Sequence, residues 1–181
     1  MSLAKPYEGP YRVPRAKIFE SAHVHGEKFG TKGSITFNEW DVIGEAIKKY
    51  EIKSVLEFGS GFSTDRFVMA GLRVISMETD RNWAKAVRKQ VPGATIVLWD
   101  NVNMPDNPEI FDLAFVDGVW PRLEQLRQAM LRAPRLFIHD VDRQEELDLI
   151  QGHITGWEAA NWQNIPEFTK ERVAFFEKTG D

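Results

Sequence analysis

The stretch from Ser54 to Asp80 constrains the fold more than any other part of the chain. It begins with an apolar run, Ser54–Phe58, which predicts a buried β-strand. Gly59-Ser60-Gly61 then permits a sharp reversal with positive φ and a close approach of a ligand to bare backbone. A short helix over 63–70 and a second strand over 72–77 complete the unit. This order of elements is typical of an α/β protein with parallel strands.

Glu78 ends the second strand of this unit, nineteen positions after Gly59. An acidic side chain near this separation can accept hydrogen bonds from both hydroxyls of a bound ribose. We therefore expect the unit to hold an adenosine-type ligand across the carboxyl ends of two parallel strands.

Glu57, two residues before Gly59, bears on which ligand the turn accepts. It would repel a pyrophosphate, because two like charges about 4 Å apart cost about 4 kcal/mol at an effective dielectric constant of about 20. It would attract a ligand that carries an ammonium and a sulfonium group, which favours S-adenosylmethionine (SAM) over NAD. The dinucleotide fingerprint also requires a third glycine, where this chain has Thr64.

The segment Glu57-Phe58-Gly59-Ser60-Gly61 has the form E/D-x-G-x-G, and with Glu78 in place the chain resembles the class I SAM-dependent methyltransferases. The resemblance covers residues 36–178. It implies a Rossmann-like, doubly wound α/β sheet of seven strands, mostly parallel with an antiparallel closing strand, in the order 3-2-1-4-5-7-6. It also implies cofactor contacts from residues at the strand ends, namely Glu57, Gly59, Ser60, Gly61, Glu78, Thr79, Asp100, Asn101 and Asp117. For Asp100, a solvated turn aspartate is an equally good interpretation.

Asp117 and Asp140 end the two strands beside the cofactor strand and are the candidate catalytic residues. Either is suited to act as a general base on an acceptor hydroxyl, or the two together to hold a divalent metal that lowers the hydroxyl pKa. The segments FDLAFVDGVW and LFIHDVD resemble the metal-binding strands of the catechol-type O-methyltransferases. By that match Asp117, His139 and Asp140 would be the metal ligands. Both aspartates are also consistent with simple helix caps.

The chain departs from that family in two places. His139-Asp140 stands where the family usually has Asp-Asn, and histidine suits zinc, iron or manganese better than magnesium. The family's catalytic lysine corresponds to Trp120, which removes the expected base. Trp120 is equally consistent with stacking on a flat substrate and with packing beneath the next helix. The pairing of D-G after one strand with H-D after the next also occurs in a looser group that includes cephalosporin-hydroxylase-like proteins.

The remaining elements follow from local patterns. Thr36 and Glu39 form a capping box at the start of a helix. Helices are expected over 36–50, 80–90, from about 121 and over 142–150, and strands over 94–99, 111–116, 135–138, 156–165 and 172–178. Arg122, Arg127 and Arg132 are expected on a solvated surface rather than in a binding patch, because the net charge is −4.

Length and composition predict one domain over 34–181, preceded by a segment, 1–33, that the resemblance suggests covers the substrate. His23 and His25 in that segment are interpreted as surface residues, with a metal pair as the alternative. The absence of cysteine excludes disulfides and thiolate chemistry. The negative charge does not favour nucleic acid as a partner, and the absence of a long apolar run or a signal peptide predicts a cytoplasmic protein without a membrane segment.

The sequence therefore predicts a SAM-dependent methyltransferase (EC 2.1.1.-) that O-methylates a small molecule. Two other functions stay open, a non-catalytic or degenerate SAM-fold binding protein and an NAD-dependent dehydrogenase. The sequence does not predict an oligomeric state.

Overall fold

A computed structural model describes residues 35–100, 109–118, 122–141, 162–170 and 172–179. Several expectations from the sequence lie outside these residues. They are the substrate-covering segment with His23 and His25, the cofactor contact of Asn101, both interpretations of Trp120, the helix over 142–150, and residues 156–161 of the strand over 156–165.

The described elements alternate between helices and strands along most of the chain. In chain order they are α1 (Phe37–Lys49), β1 (Ser54–Phe58), α2 (Phe62–Met69), β2 (Arg73–Glu78), α3 (Arg81–Gln90), β3 (Thr95–Leu98), β4 (Leu113–Val116), α4 (Arg122–Arg132), β5 (Arg135–Ile138), β6 (Trp162–Asn164) and β7 (Ala174–Lys178). The predicted strands β1 and β5 have the expected bounds, and most other predicted ends differ by one or two residues.

The strands form a sheet in the order β3-β2-β1-β4-β5-β7-β6. Strands β1 to β5 pair in parallel, and β7 is antiparallel to both β5 and β6. This confirms the predicted Rossmann-like, doubly wound sheet with its antiparallel closing strand. The parallel strands place their carboxyl ends at one edge, where ligands of such sheets bind.

Local sequence chemistry explains where the helices begin. Thr36 is the N-cap of α1, and its capping box with Glu39 is complete, as predicted. Asp80 caps α3 by accepting hydrogen bonds from the backbone N–H groups of Asn82 and Trp83. Each cap satisfies backbone donors that the first helical turn leaves without a partner.

Two apolar layers cover the faces of the sheet, and the alternation along each strand decides which side chains point to which layer. Val55, Phe115 and Phe137 pack on the face that carries α1 and α2. Leu56 and Leu136 pack on the face that carries α4. The residues two positions after Val55, Phe115 and Phe137 are Glu57, Asp117 and His139, and the same alternation directs them toward α1 and α2.

Candidate functional site

Backbone hydrogen bonds beyond the strands hold the candidate residues in register at the carboxyl edge of the sheet. They run from Gly59 N to Met77 O (2.9 Å), from Trp99 N to Glu78 O (2.8 Å), from Asp117 N to Phe58 O (2.9 Å) and from His139 N to Val116 O (3.0 Å). The sequence therefore correctly predicted that residues following β1, β2, β4 and β5 come together.

The turn after β1 depends on glycine at its first position. Gly59 has φ of +91°, in the region that favours glycine. A Cβ atom at Gly59 would lie 2.9 Å from both Cα and N of Gly118 and 3.0 Å from the carbonyl carbon of Asp117. The backbone after β1 thus packs directly against the backbone after β4, and this contact fixes the position of Asp117.

Glu78 binds the same turn from the end of β2. One carboxylate oxygen, Oε2, accepts hydrogen bonds from Ser60 N (3.0 Å) and Ser60 Oγ (2.8 Å). The other, Oε1, accepts from Thr79 N (2.8 Å) and Asp80 N (2.9 Å). The predicted ribose acceptor therefore lies against the glycine turn, and in this arrangement it accepts four hydrogen bonds from the protein.

Trp83 holds the turn from the opposite side. Its indole Nε1 donates to Ser60 O at 2.5 Å, and its Cζ2 lies 3.7 Å from the position of a Cβ atom on Gly61. This role of Trp83 was not predicted from the sequence. The combination of an aromatic residue in the first turn of α3 with a glycine turn is too common to have revealed it.

Glu57 lies beneath the turn and is fully buried. Its carboxyl group accepts hydrogen bonds from the hydroxyls of Ser63 and Thr64, the latter at 2.5 Å. Burial raises the pKa of Glu57 to about 7 despite these hydrogen bonds. The carboxyl group of Glu57 is thus bound to the first turn of α2, and its predicted contact with the cofactor stays a prediction.

The raised pKa of Glu57 predicts a specific pH dependence of stability. Between the ordinary value of 4.5 and about 7, the folded protein retains a proton that the unfolded chain has lost. The free energy of unfolding should therefore fall as pH rises through this window, by an upper limit of about 3 kcal/mol. Glu57→Gln should flatten the fall, measured by urea unfolding at pH 5 and pH 8. Replacing the exposed Glu45 by Gln is the matched control, and an unchanged pH dependence in Glu57→Gln would contradict the assignment.

Five charged side chains meet where β4 and β5 end. We refer to them as the tip cluster, which consists of Glu39, Asp117, His139, Asp140 and Arg172. His139 Nδ1 lies 2.6 Å from Asp117 Oδ1 and 3.6 Å from Asp140 Oδ1, and its Nε2 lies 3.7 Å from Glu39 Oε2. His139 and Glu39 are fully buried, whereas the Asp117 side chain is 16% exposed. Among the three carboxylates of the tip cluster, Asp117 is the most exposed.

Charge pairing dominates the electrostatics of the tip cluster. Burial acts to lower the pKa of His139, but hydrogen bonding and charge from Asp117 and Glu39 outweigh it and raise the pKa to about 9. Burial acts to raise the pKa of Glu39, but His139 and Thr36 outweigh it and lower the pKa to about 2. Near neutral pH the cluster therefore contains a buried imidazolium between carboxylates.

The three predicted metal ligands do come together. One ligand atom from each of Asp117, His139 and Asp140 lies within 4.8 Å of the others. The surrounding charges, however, do not fit a resident divalent ion. His139 Nδ1 is hydrogen-bonded to Asp117, and the guanidinium of Arg172 lies 3.2 Å from Asp140 Oδ1. The metal assignment stays a prediction, and no step of the proposed chemistry depends on it.

The expected exposure of Arg122 is wrong. Arg122 is buried in the first turn of α4, where it donates to Gly118 O at 3.1 Å and to His139 O. It thereby joins the ends of β4 and β5 and satisfies two carbonyl groups that the sheet leaves open. Of the other two arginines in this helix, Arg127 is exposed and Arg132 is half-buried.

Two predicted contacts lie near the ends of β2 and β3. Thr79 and Asp100 are both exposed; Thr79 follows β2 directly, and Asp100 lies two residues after the end of β3. They are therefore placed at the same edge as the glycine turn.

The sequence reasoning missed two members of the tip cluster. Glu39 was interpreted as a capping residue, although it shares the buried stripe of α1 with Val42, Ile43 and Ala46, which was a usable signal. Arg172 carried no local signal, because its partners lie far away in sequence.

Solved structures with the same fold include several methyltransferases. The TehB-like SAM-dependent methyltransferase from Corynebacterium glutamicum is 17% identical (TM-score 0.59; 92% of this chain and 100% of that chain covered). The O-methyltransferase TomG from Streptomyces achromogenes, solved with SAM, is 14% identical (TM-score 0.66; 94% and 92%). The O-methyltransferase from Bacillus cereus, solved with S-adenosylhomocysteine (SAH), is 13% identical (TM-score 0.65; 93% and 93%).

These similarities show that the chain has the fold of class I SAM-dependent methyltransferases. No protein-family profile and no curated protein sequence matches the chain. Among the described residues, no helix has the length and apolar character needed to cross a membrane.

Proposed function

We propose that this chain is a SAM-dependent methyltransferase that transfers a methyl group to a hydroxyl of a small molecule. One observation carries the proposal: the Gly59-Ser60-Gly61 turn is bound to the carboxylate of Glu78 at the ends of two adjacent parallel strands. The fold supports it, because structures that share it were solved with SAM or SAH. The net charge of −4 favours a small acceptor over nucleic acid.

The residues at the turn fit the cofactor after one side-chain rotation. Of the four donors to Glu78, three are backbone N–H groups, and the fourth is the hydroxyl of Ser60. Rotation of that hydroxyl would free an acceptor position on Oε2 for a ribose hydroxyl. Gly59 and Gly61 leave the backbone bare for the amino-acid part of SAM, and Asp100 lies at the next strand end for the adenine. Asn101 remains a predicted neighbour of that contact.

Glu57 has an indirect role in this proposal. Through Ser63 and Thr64 it holds the first turn of α2, and Thr64 Oγ1 also accepts from Gly61 N at 2.8 Å. Glu57 therefore supports the shape of the glycine turn from beneath. The acidic residue of the E/D-x-G-x-G motif acts here by positioning the turn.

SAM supplies a methyl group that its sulfonium already activates, so the protein needs to align the acceptor and remove its proton. Asp117 is the proposed general base, because it is partly exposed and lies beside the turn. His139 orients it by binding Oδ1, which leaves the second carboxylate oxygen for the acceptor hydroxyl. Asp140 pairs with Arg172, so we propose that it positions the cluster instead of acting as a second base.

Asp117→Asn should lower the rate of methyl transfer about 100-fold, because an amide cannot take up the hydroxyl proton. Its affinity for SAH should stay within about two-fold of the wild type, a change of about 0.4 kcal/mol. The measurement is SAH formation from SAM with a panel of phenolic and aliphatic hydroxyl compounds. The exposed Asp41→Asn in α1 is the matched control. If Asp117→Asn keeps full activity, the base is misassigned. If the wild type binds SAM and methylates nothing in the panel, a binding protein without catalysis becomes the better proposal.

A further inference from the structure

We propose that Arg172 is the built-in counter-cation of Glu39 and Asp140 in the tip cluster, and that this site therefore works without a divalent metal. The part that concerns methyl transfer rests on the proposed function. The part that concerns metal binding depends on the tip cluster alone, so the two can fail separately.

Arg172 binds two carboxylates at once. Its Nε lies 3.1 Å from Glu39 Oε1 and its Nη2 lies 3.3 Å from Glu39 Oε2, which is a bidentate pairing. Its Nη1 lies 3.2 Å from Asp140 Oδ1. Glu39 is fully buried and the Asp140 side chain is 8% exposed, so both carboxylates need a cation close by.

The backbone fixes this arginine in place. Val141 N donates to Arg172 O at 3.0 Å, which ties the residue after Asp140 to a residue two positions before β7. The antiparallel pairing of β7 with β5 therefore delivers the guanidinium to the end of β5, opposite the first turn of α1. Arg172 is therefore held by both its backbone and its side chain, unlike an arginine whose side chain is mobile on a protein surface.

A divalent ion at Asp117, His139 and Asp140 would have to share Asp140 with this guanidinium. Like charges at such short range repel, and Asp140 is already paired. His139 Nδ1 would also have to give up its 2.6 Å contact with Asp117. The residue types of Asp117, His139 and Asp140 match those of a metal site, but the guanidinium of Arg172 already supplies the positive charge.

The test is a calorimetric titration of the chelator-treated protein with Mn²⁺, repeated with Mg²⁺. Mn²⁺ is chosen because carboxylate and imidazole ligands suit it. The wild type should show no saturable binding up to about 1 mM. Arg172→Gln should bind Mn²⁺ at least about ten-fold more tightly than this limit, a gain of about 1.4 kcal/mol in binding free energy. Arg172→Lys keeps a cation and should behave as the wild type does.

Arg135→Gln is the matched control. Arg135 lies on β5, pairs with Glu177 at 3.0 Å and is 24% exposed, against 21% for Arg172. The Arg135→Gln variant should not acquire Mn²⁺ binding. Saturable 1:1 binding of Mn²⁺ by the wild type that Asp140→Asn abolishes would overturn the proposal, whether or not Arg172→Gln folds. So would a folded Arg172→Gln that binds no better than Arg135→Gln. SAH titration of the same samples shows separately whether the proposed cofactor site holds.

Discussion

Gly59→Ala is expected to lower the free energy of unfolding by about 3 to 5 kcal/mol and to abolish cofactor binding in whatever fraction stays folded. Two costs add at this position. A non-glycine residue at φ of +91° is strained by about 1 to 3 kcal/mol. The new Cβ would also lie 2.9 Å from the backbone of Gly118, and overpacking of this kind costs about 1 to 3 kcal/mol. Urea unfolding measures the sum.

Gly71→Ala separates these two costs. Gly71 has a similar φ of +84°, and among the described residues no atom beyond its two chain neighbours would lie within 4 Å of a Cβ atom there. Its substitution should therefore show the backbone strain alone, about 1 to 3 kcal/mol. If Gly59→Ala destabilises the protein no more than Gly71→Ala does, the close approach of the β1 and β4 ends is not as described.

Glu78→Ala is expected to weaken SAH binding about 1,000-fold, equivalent to about 4 kcal/mol. The substitution removes the charge-assisted hydrogen bond between Oε2 and the proposed ribose, which contributes about 1.5 to 3 kcal/mol. It also releases Ser60 N from the turn, which loosens the proposed site further. Calorimetric titration with SAH, on protein shown to be folded by circular dichroism, measures the loss.

Ser60→Ala is the matched control for Glu78→Ala. It removes the side-chain donor that competes with the ribose for Oε2 and keeps the backbone donor at 3.0 Å. SAH should bind this variant as tightly as it binds the wild type, or more tightly. A loss as large as that of Glu78→Ala would mean that the Ser60 hydroxyl contacts the ligand, and that the proposed exchange at Oε2 is wrong.

Local chemistry in the sequence was sufficient for the elements around the site. The capping box of Thr36 and Glu39 and the glycine turn depend on residues within a few positions of one another, so they were predicted correctly. The meeting of Asp117 and His139 was also predictable, because adjacent parallel strands end at one edge.

Contacts between distant elements were not predictable in the same way. Arg122 was expected to be solvated because the overall charge is negative, but overall charge does not reveal that α4 begins directly over two open carbonyl groups. The pairing of Arg172 with Glu39 joins residues 133 positions apart, and it depends on β7 lying beside β5. Such a pair becomes visible only when the sheet order is known.

The burial of Glu57 was predictable from the sequence only in part. Strand alternation places its side chain on the face of Val55, so its orientation toward α2 could have been derived from the strand alone. Ser63 and Thr64 were visible in the sequence as hydroxyl residues. Their roles as hydrogen-bond donors to the buried carboxyl group of Glu57 were not.

The turn after β1 and Glu78 form the proposed SAM site, which calorimetric titration of the wild-type protein with SAH can test. We expect 1:1 binding in the micromolar range, with no measurable binding of NAD in a parallel titration. Folded protein that binds no SAH, or that binds NAD in its place, would show that the site is misassigned.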